Sequence, residues 1–225
     1  MRPLDAQPQL VDRVYAALVE AIAAGELAPG EALVQERVAE RLAVSRQPVV
    51  QALMQLKAQG FVEAGERRGF RVSRIDATTA RRVYEVRGAL DRLAARAAAE
   101  RVPGQPAAAE TLRRALEAGS AAVAEGSVQE LIAADAAFHQ TIYDLADNPL
   151  IAESAQVHWQ HIRRVMAAVL RDHGQRATVW REHAAIAEAI LAGDVARAGD
   201  LAEAHVAKAA EMLVGRLEET LALSA

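Results

Sequence analysis

Three histidines and one aspartate fall on lines of the chain that should be purely apolar. In the segment opened by Ser127, the inward stripe reads Leu131, Asp135, Phe138, Ile142. His139, four residues beyond Asp135, shares its face. A carboxylate buried there is costly unless something compensates it. A second stripe reads Trp180, His183, Ile186, Ile190, and a third Leu201, His205, Ala209, Met212, each with its histidine inward. Taken singly, an inward histidine is more often a hydrogen-bonded core residue, and an Asp/His pair at i, i+4 a local hydrogen bond. Four such positions on three helices suit convergence on a divalent cation, which offsets the desolvation of all four. The chain has no cysteine, so the donors are nitrogen and oxygen only. That set suits Zn²⁺, Ni²⁺ or Mn²⁺ without choosing among them.

Other chemistry-bearing side chains surround this set. Arg87 lies about 60° from Leu90 on the edge of an apolar stripe. There it either reaches inward to clamp a carboxylate, as a planar bidentate donor does well, or pairs along the helix with Asp91. Arg164 projects away from the apolar face of its helix and is expected at the surface. His158 and His161 flank that face as structural or supporting residues, and His173 lies in a polar loop. Metal-activated hydrolysis needs a general base beside the ion. The nearest candidate, Glu182, is turned about 100° from His183 by helix geometry. The sequence therefore favours a binding protein over an enzyme.

Helices must position these groups. A stripe of Val83, Val86, Leu90, Leu93 and Ala97 ends at Pro103-Gly104, and Asp76 or Thr78 can cap its start. A second helix runs from about Pro106 to Glu125. Ser127-Val-Gln-Glu130 is a capping-box pattern opening the third, which Asn148-Pro149 closes while starting the fourth. The fifth runs from about Thr178 to Gly193, and Asp194 caps a last helix that reaches about Leu221. Long helices with short joints predict an all-α antiparallel bundle over residues 76–225. A composition 52% hydrophobic yet only 4% aromatic agrees, because such a core is built from Ala, Leu, Val and Ile.

Residues 1–75 read differently. Beyond a loose leader over residues 1–9, Val14, Leu18 and Ile22 mark a helix, and Pro29-Gly30 turns the chain. Val38 and Leu42, then Val49, Ala52, Leu53 and Leu56, give two short helices about a tight turn, with Ser45 at an N-cap and Pro48 in the following first turn. Arg46, Gln47, Val50 and Gln51 are left facing outward. A helix presenting its N-terminal side chains this way can enter a DNA major groove, and Arg37 of the preceding helix adds a backbone contact. Phe61, Val62 and Phe70, Val72 then predict a hairpin wing with Arg67 and Arg68 at its tip, suited to phosphate or minor-groove contact.

Glu26-Leu-Ala-Pro-Gly-Glu31, Val44-Ser-Arg-Gln-Pro-Val49, Gly60-Phe-Val62 and Arg68-Gly-Phe70 together resemble the winged-helix domain of the GntR family of bacterial transcription regulators. The family usually carries Arg and Glu where this chain has Val50 and Gln51. Its operator preferences therefore do not transfer: Val50 suits a thymine methyl and Gln51 an adenine edge. Asp135-Ala-Ala-Phe-His139, Asn148-Pro149, Glu182-His183 and Ala204-His205 resemble the all-helical FCD ligand-binding domain of the FadR-type branch. That resemblance implies a metal held by Asp135, His139, His183 and His205 that helps bind a small organic acid. It also implies a homodimer on double-stranded operator DNA, acting as a repressor. The ion itself could instead be the signal.

Charge agrees only weakly with DNA binding. Residues 1–75 hold 10 Lys/Arg against 9 Asp/Glu, and residues 76–225 hold 16 against 21. Arginine placement and a dimer's doubled contacts must then supply what bulk charge does not. Without a membrane-length apolar run or a signal-peptide core, the chain is expected in the cytoplasm.

Overall fold

A computed structural model of the chain describes residues 8–65, 69–170 and 176–222. It divides into two compact units, Met1–Ile75 and Asp76–Ala225. Among the described residues no helix is long and apolar enough to cross a membrane.

The first unit runs α1 (Pro8–Ala23), β1 (Ala32–Leu33), α2 (Gln35–Arg41), α3 (Arg46–Ala58), β2 (Val62–Ala64), β3 (Phe70–Val72). Val14, Leu18 and Ile22 of α1 and Val49, Leu53 and Leu56 of α3 form its core, each at most 4% exposed. In α2 the buried residue is Ala39, whereas Val38 and Leu42 are half-covered. The turn into α3 is made by Ala43 in the left-handed region (φ 53°), an uncommon setting for a residue with a Cβ. The Val44 amide closes the turn on the Ala39 carbonyl at 3.0 Å. Ser45 occupies the N-cap of α3 without a capping hydrogen bond from its side chain. The wing is a three-stranded antiparallel sheet of order β1-β3-β2, with Leu33 opposite Phe70 and Val62 opposite Val72. Strand β1, two residues long, shows no alternation in sequence and goes beyond the expected hairpin.

The second unit is all helical: α4 (Ala77–Arg101), α5 (Pro106–Glu125), α6 (Val128–Leu145), α7 (Pro149–Val169), α8 (Arg176–Ala192) and α9 (Val195–Ala222). Side chains fix where these helices begin. Asp76, rather than Thr78, accepts the Thr79 amide at 2.9 Å. Ser127 and Glu130 form both halves of a capping box. Asn148 accepts from Leu150 with Pro149 in the first turn, and Asp194 accepts from Arg197. Helix α4 packs along α9 and also meets α6, α7 and α8. Ala94, Ala95 and Ala98 on α4, with Ala198, Gly199 and Ala202 on α9, are buried. Side chains this small let the helix axes approach closely.

Candidate metal centre and DNA-reading helix

Helices α6, α8 and α9 bring the four inward polar side chains together. One ligand atom from each of Asp135, His139, His183 and His205 lies within 4.8 Å of all the others, and all four residues are buried. The Nε2 atoms converge: His183 Nε2 is 3.3 Å from that of His139 and 3.1 Å from that of His205. Asp135 Oδ1 is 3.4 Å from His183 Nε2.

Two of the three rings are held from behind by carboxylates. His139 Nδ1 faces Asp91 Oδ2 at 3.1 Å, and His205 Nδ1 faces Glu182 Oε2 at 2.9 Å. A proton on each Nδ1 serves these contacts, so both rings turn an Nε2 lone pair toward the centre. A single His183 proton can satisfy only one of those lone pairs, and Asp135 adds a further acceptor. This donor set fits a cation. Metal–nitrogen bonds of about 2.0–2.1 Å in a tetrahedral shell place neighbouring ligand atoms about 3.3 Å apart, close to the separations of His183 Nε2 from His139, His205 and Asp135, 3.3, 3.1 and 3.4 Å. Burial, followed by the other two imidazoles, drives His183 well below the usual histidine range. Burial also lowers His139, followed by Arg87 and against Asp91. Both rings are therefore in the neutral form that a metal ligates. His183 Nδ1 has no hydrogen-bond partner among the described residues. Its ring is held by packing, stacked on Phe138 and edge-on to Trp180, each with centroids 4.5 Å apart.

Arg87 turns inward and pairs along its helix with Asp91. It is 2% exposed, and its Nε donates to Asp91 Oδ2 at 3.2 Å while the guanidinium lies 4.2 Å from the Trp159 ring centroid. Among the described residues its buried Nη2 has no hydrogen-bond partner. Burial opposes its charge, but Asp91 and then Asp135 more than offset that and raise its pKa. Asp91 also accepts from Tyr143 Oη, which in turn accepts from Trp159 Nε1 at 3.1 Å. Burial would raise the Asp91 pKa, but Arg87 and His139 hold it down at about 2. A hydrogen bond from His205 holds Glu182 at about 2, with Lys208 adding to it from the surface at 2.8 Å. A cavity of about 60 Å³ opens beside the cluster, with Arg87, Asp135 and His205 in its wall.

Two expectations are corrected. On α4, Val86 and Leu93 of the expected apolar stripe are 45% and 51% exposed, and the buried line runs instead through Val83, Tyr84, Arg87, Asp91 and Ala94. Arg164 is buried, 5% exposed, and burial lowers its pKa to about 10. Helix α7 meets α4, α6 and α9, so more of its circumference is covered than its apolar stripe suggests. His158 and His161 are half-buried on the same helix, and His173 lies outside the described residues. Asp91 and Glu182, the carboxylates behind the histidines, were not singled out as supports in sequence. Asp91 appears there only as a partner for Arg87.

In the first unit, Arg37, Arg46, Gln47 and Gln51 are exposed and Val50 is half-buried. Arg46 is engaged within the unit by Glu36 at 3.0 Å and Gln35 at 3.3 Å. Arg67 and Arg68 lie outside the described residues.

A winged helix-turn-helix that leaves the start of its second helix exposed, joined in one chain to a helical unit with a buried His₃Asp cluster, defines a DNA-binding regulator. The FCD domain profile matches residues 82–208, more than half the chain, and the profile of bacterial regulatory proteins of the gntR family matches residues 10–72. The chain belongs to the GntR family of DNA-binding transcription regulators, in its FCD-domain branch, a family of regulators and not of enzymes. Among its relatives is the HTH-type transcriptional regulator LutR of Bacillus subtilis, 29% identical over 88% of this chain and 98% of that one. A second, YdhC of the same organism, is 26% identical over 91% of each. E. coli McbR/YncC shares the fold, with a TM-score of 0.79 at 20% identity over 91% of this chain and 96% of that one. A GntR regulator from Rhodococcus sp. RHA1 does so at 0.76 and 23%, over 92% and 98%.

Proposed function

We propose that this regulator is a metal-loaded repressor whose operator affinity is set by a small carboxylate bound beside the ion. Asp135, His139, His183 and His205 hold the divalent cation, and the ion supplies a positive centre for one carboxylate oxygen. Arg87 supplies the second contact through its unpartnered Nη2. The observation that carries this reading is that Arg87, whose buried Nη2 has no hydrogen-bond partner among the described residues, lines one cavity with the aspartate and a histidine of the cluster.

The protein acts as a homodimer in the cytoplasm, with two winged units on adjacent half-sites of a near-palindromic operator. Val86 and Leu93 support pairing: they stand seven residues apart on α4 and are 45% and 51% exposed, an apolar stripe fit for burial against a second copy. Arg46, Gln47, Val50 and Gln51 face the bases from α3, while Arg37, Arg67 and Arg68 face phosphates or the minor groove. Effector and DNA affinities are then coupled reciprocally, on a scale of about 1–3 kcal/mol.

The test is a titration of fluorescent DNA from upstream of the protein's own gene, using chelator-stripped protein and protein reloaded with Zn²⁺, Ni²⁺ or Mn²⁺, with and without organic acids. One ion per chain and an acid-dependent change in DNA affinity only in loaded protein are expected. An equal acid response in stripped protein refutes the metal's role. A response to metal that no acid modifies makes the ion itself the signal.

A further inference from the structure

We infer that the effector carries its carboxylate on a compact apolar body, an aliphatic or aromatic acid rather than a hydroxyl-rich one. This rests on the effector reading above and concerns the walls of the same cavity. Its polar groups gather toward one end, where Arg87, Asp135 and His205 stand. Among the described residues the other walls, Arg216 apart, are hydrocarbon and thioether, mainly from Leu131, Met166, Leu170, Val179, Met212 and Leu213. Trp180 also lines the space, but its indole N–H is committed to the Leu116 carbonyl at 2.8 Å, so the ring offers only carbon. Arg216, the other polar lining residue among those described, stands eleven residues beyond His205 on α9, about 16 Å along the axis between backbone positions at 1.5 Å per residue.

A carboxylate at the Arg87 end therefore leaves most of the ligand against described groups that neither donate nor accept, with Arg216 the exception. Each hydroxyl placed there loses its water without gaining a partner, at a penalty of up to about 100-fold in affinity. Each methylene placed there gains about fourfold. The volume, about 60 Å³, is far below the roughly 300–1,000 Å³ of drug-sized pockets, so the body is short. Met166 and Met212, with flexible thioether chains, set its length limit.

The experiment compares matched acids on full-length, zinc-loaded protein by calorimetry and thermal melting. Butyrate is expected to bind at least tenfold more tightly than 3,4-dihydroxybutyrate, with isovalerate and benzoate favoured over gluconate and succinate. Val179→Thr, nearly isosteric and adding one hydroxyl to the wall, is expected to narrow the butyrate gap several-fold without lowering the melting point by more than a few degrees. Should Val179→Thr fold poorly, Met212→Ala serves instead, with hexanoate gaining on butyrate. Equal or tighter binding of dihydroxybutyrate, gluconate or succinate overturns this inference while leaving the carboxylate site standing. No response to any acid overturns both.

Discussion

Asp91→Asn separates the carboxylate's two tasks, because the amide keeps the shape and removes the charge. Asp91 is 2% exposed and touches Arg87, His139 and Tyr143. Removing one partner of a buried ion pair costs about 3–5 kcal/mol, since the other charge is left uncompensated. Here the loss is reduced, because Arg87 keeps the Trp159 face, a contact of about 1–2 kcal/mol when desolvated. Asp135 also still favours the charge. The net expectation is a loss of about 2–4 kcal/mol in metal-free protein, read from urea denaturation under chelator. A second effect falls on the metal. His139 loses the carboxylate charge that strengthens the hydrogen bond fixing its ring and tautomer, which lowers metal affinity about 10–100-fold. Competition with a zinc chelator dye measures that loss. Glu182→Gln is the control: its side chain is 23% exposed and its pair with Lys208 reaches solvent, so it should weaken metal binding while changing stability by less than about 1 kcal/mol. If Asp91→Asn lowers neither stability by 1 kcal/mol nor metal affinity by threefold, the buried network does not hold the ligands as argued.

Three further outcomes follow from the same geometry. Arg46→Ala is expected to weaken operator binding by about 1–3 kcal/mol, whereas Glu36→Gln, which releases Arg46 from its ion pair, should tighten it a few-fold in fluorescence anisotropy; a weaker Glu36→Gln complex contradicts this. Gly119→Ala would normally favour a helix, yet its Cβ would stand 1.5 Å from the Trp180 ring. A loss of about 1–3 kcal/mol with weaker metal retention is expected, and an unchanged melting point would show that the indole is not confined. Tyr84→Phe deletes a buried hydroxyl that has no partner among the described residues, so denaturation should show stability unchanged or raised by up to about 1 kcal/mol; a loss above that would reveal a partner for the hydroxyl.

What could be read from the sequence divides by whether its cause is local. The caps at Asp76, Ser127, Asn148 and Asp194 are hydrogen bonds spanning two or three residues, so residue type and position suffice to find them. The inward positions of Asp135, His139, His183 and His205 are also local, because helical period alone assigns a face. Helical period turns Glu182 about 100° from its neighbour His183. Its task depends instead on α9 presenting His205 to that flank, which no spacing within α8 reveals. Asp91 is the same case, readable as a partner for Arg87 four residues earlier and unreadable as the support of a histidine on α6. Arg164 was misjudged for a related reason, since exposure depends on how many neighbours α7 has. Ala43 and β1 escaped because neither carries a marker: one is a left-handed turn without glycine, the other a strand too short to alternate.

The three histidines are consequently not equivalent, although their sequence signals are. His139 and His205 are each aimed by a carboxylate, so their directions are set by charge-assisted hydrogen bonds. His183 has no carboxylate behind it: its Nδ1 lacks a partner among the described residues, and Phe138 and Trp180 pack on its ring. Packing of that kind fixes a ring only while its neighbours stay in place, and Trp180 is held by one hydrogen bond to Leu116 and by the absence of a side chain at Gly119. Trp180 is also a wall of the cavity beside the cluster. In the function proposed above, a ligand that shifts the indole would therefore act directly on His183, the histidine without a carboxylate behind it, and this would give effector binding a short physical route to the ion.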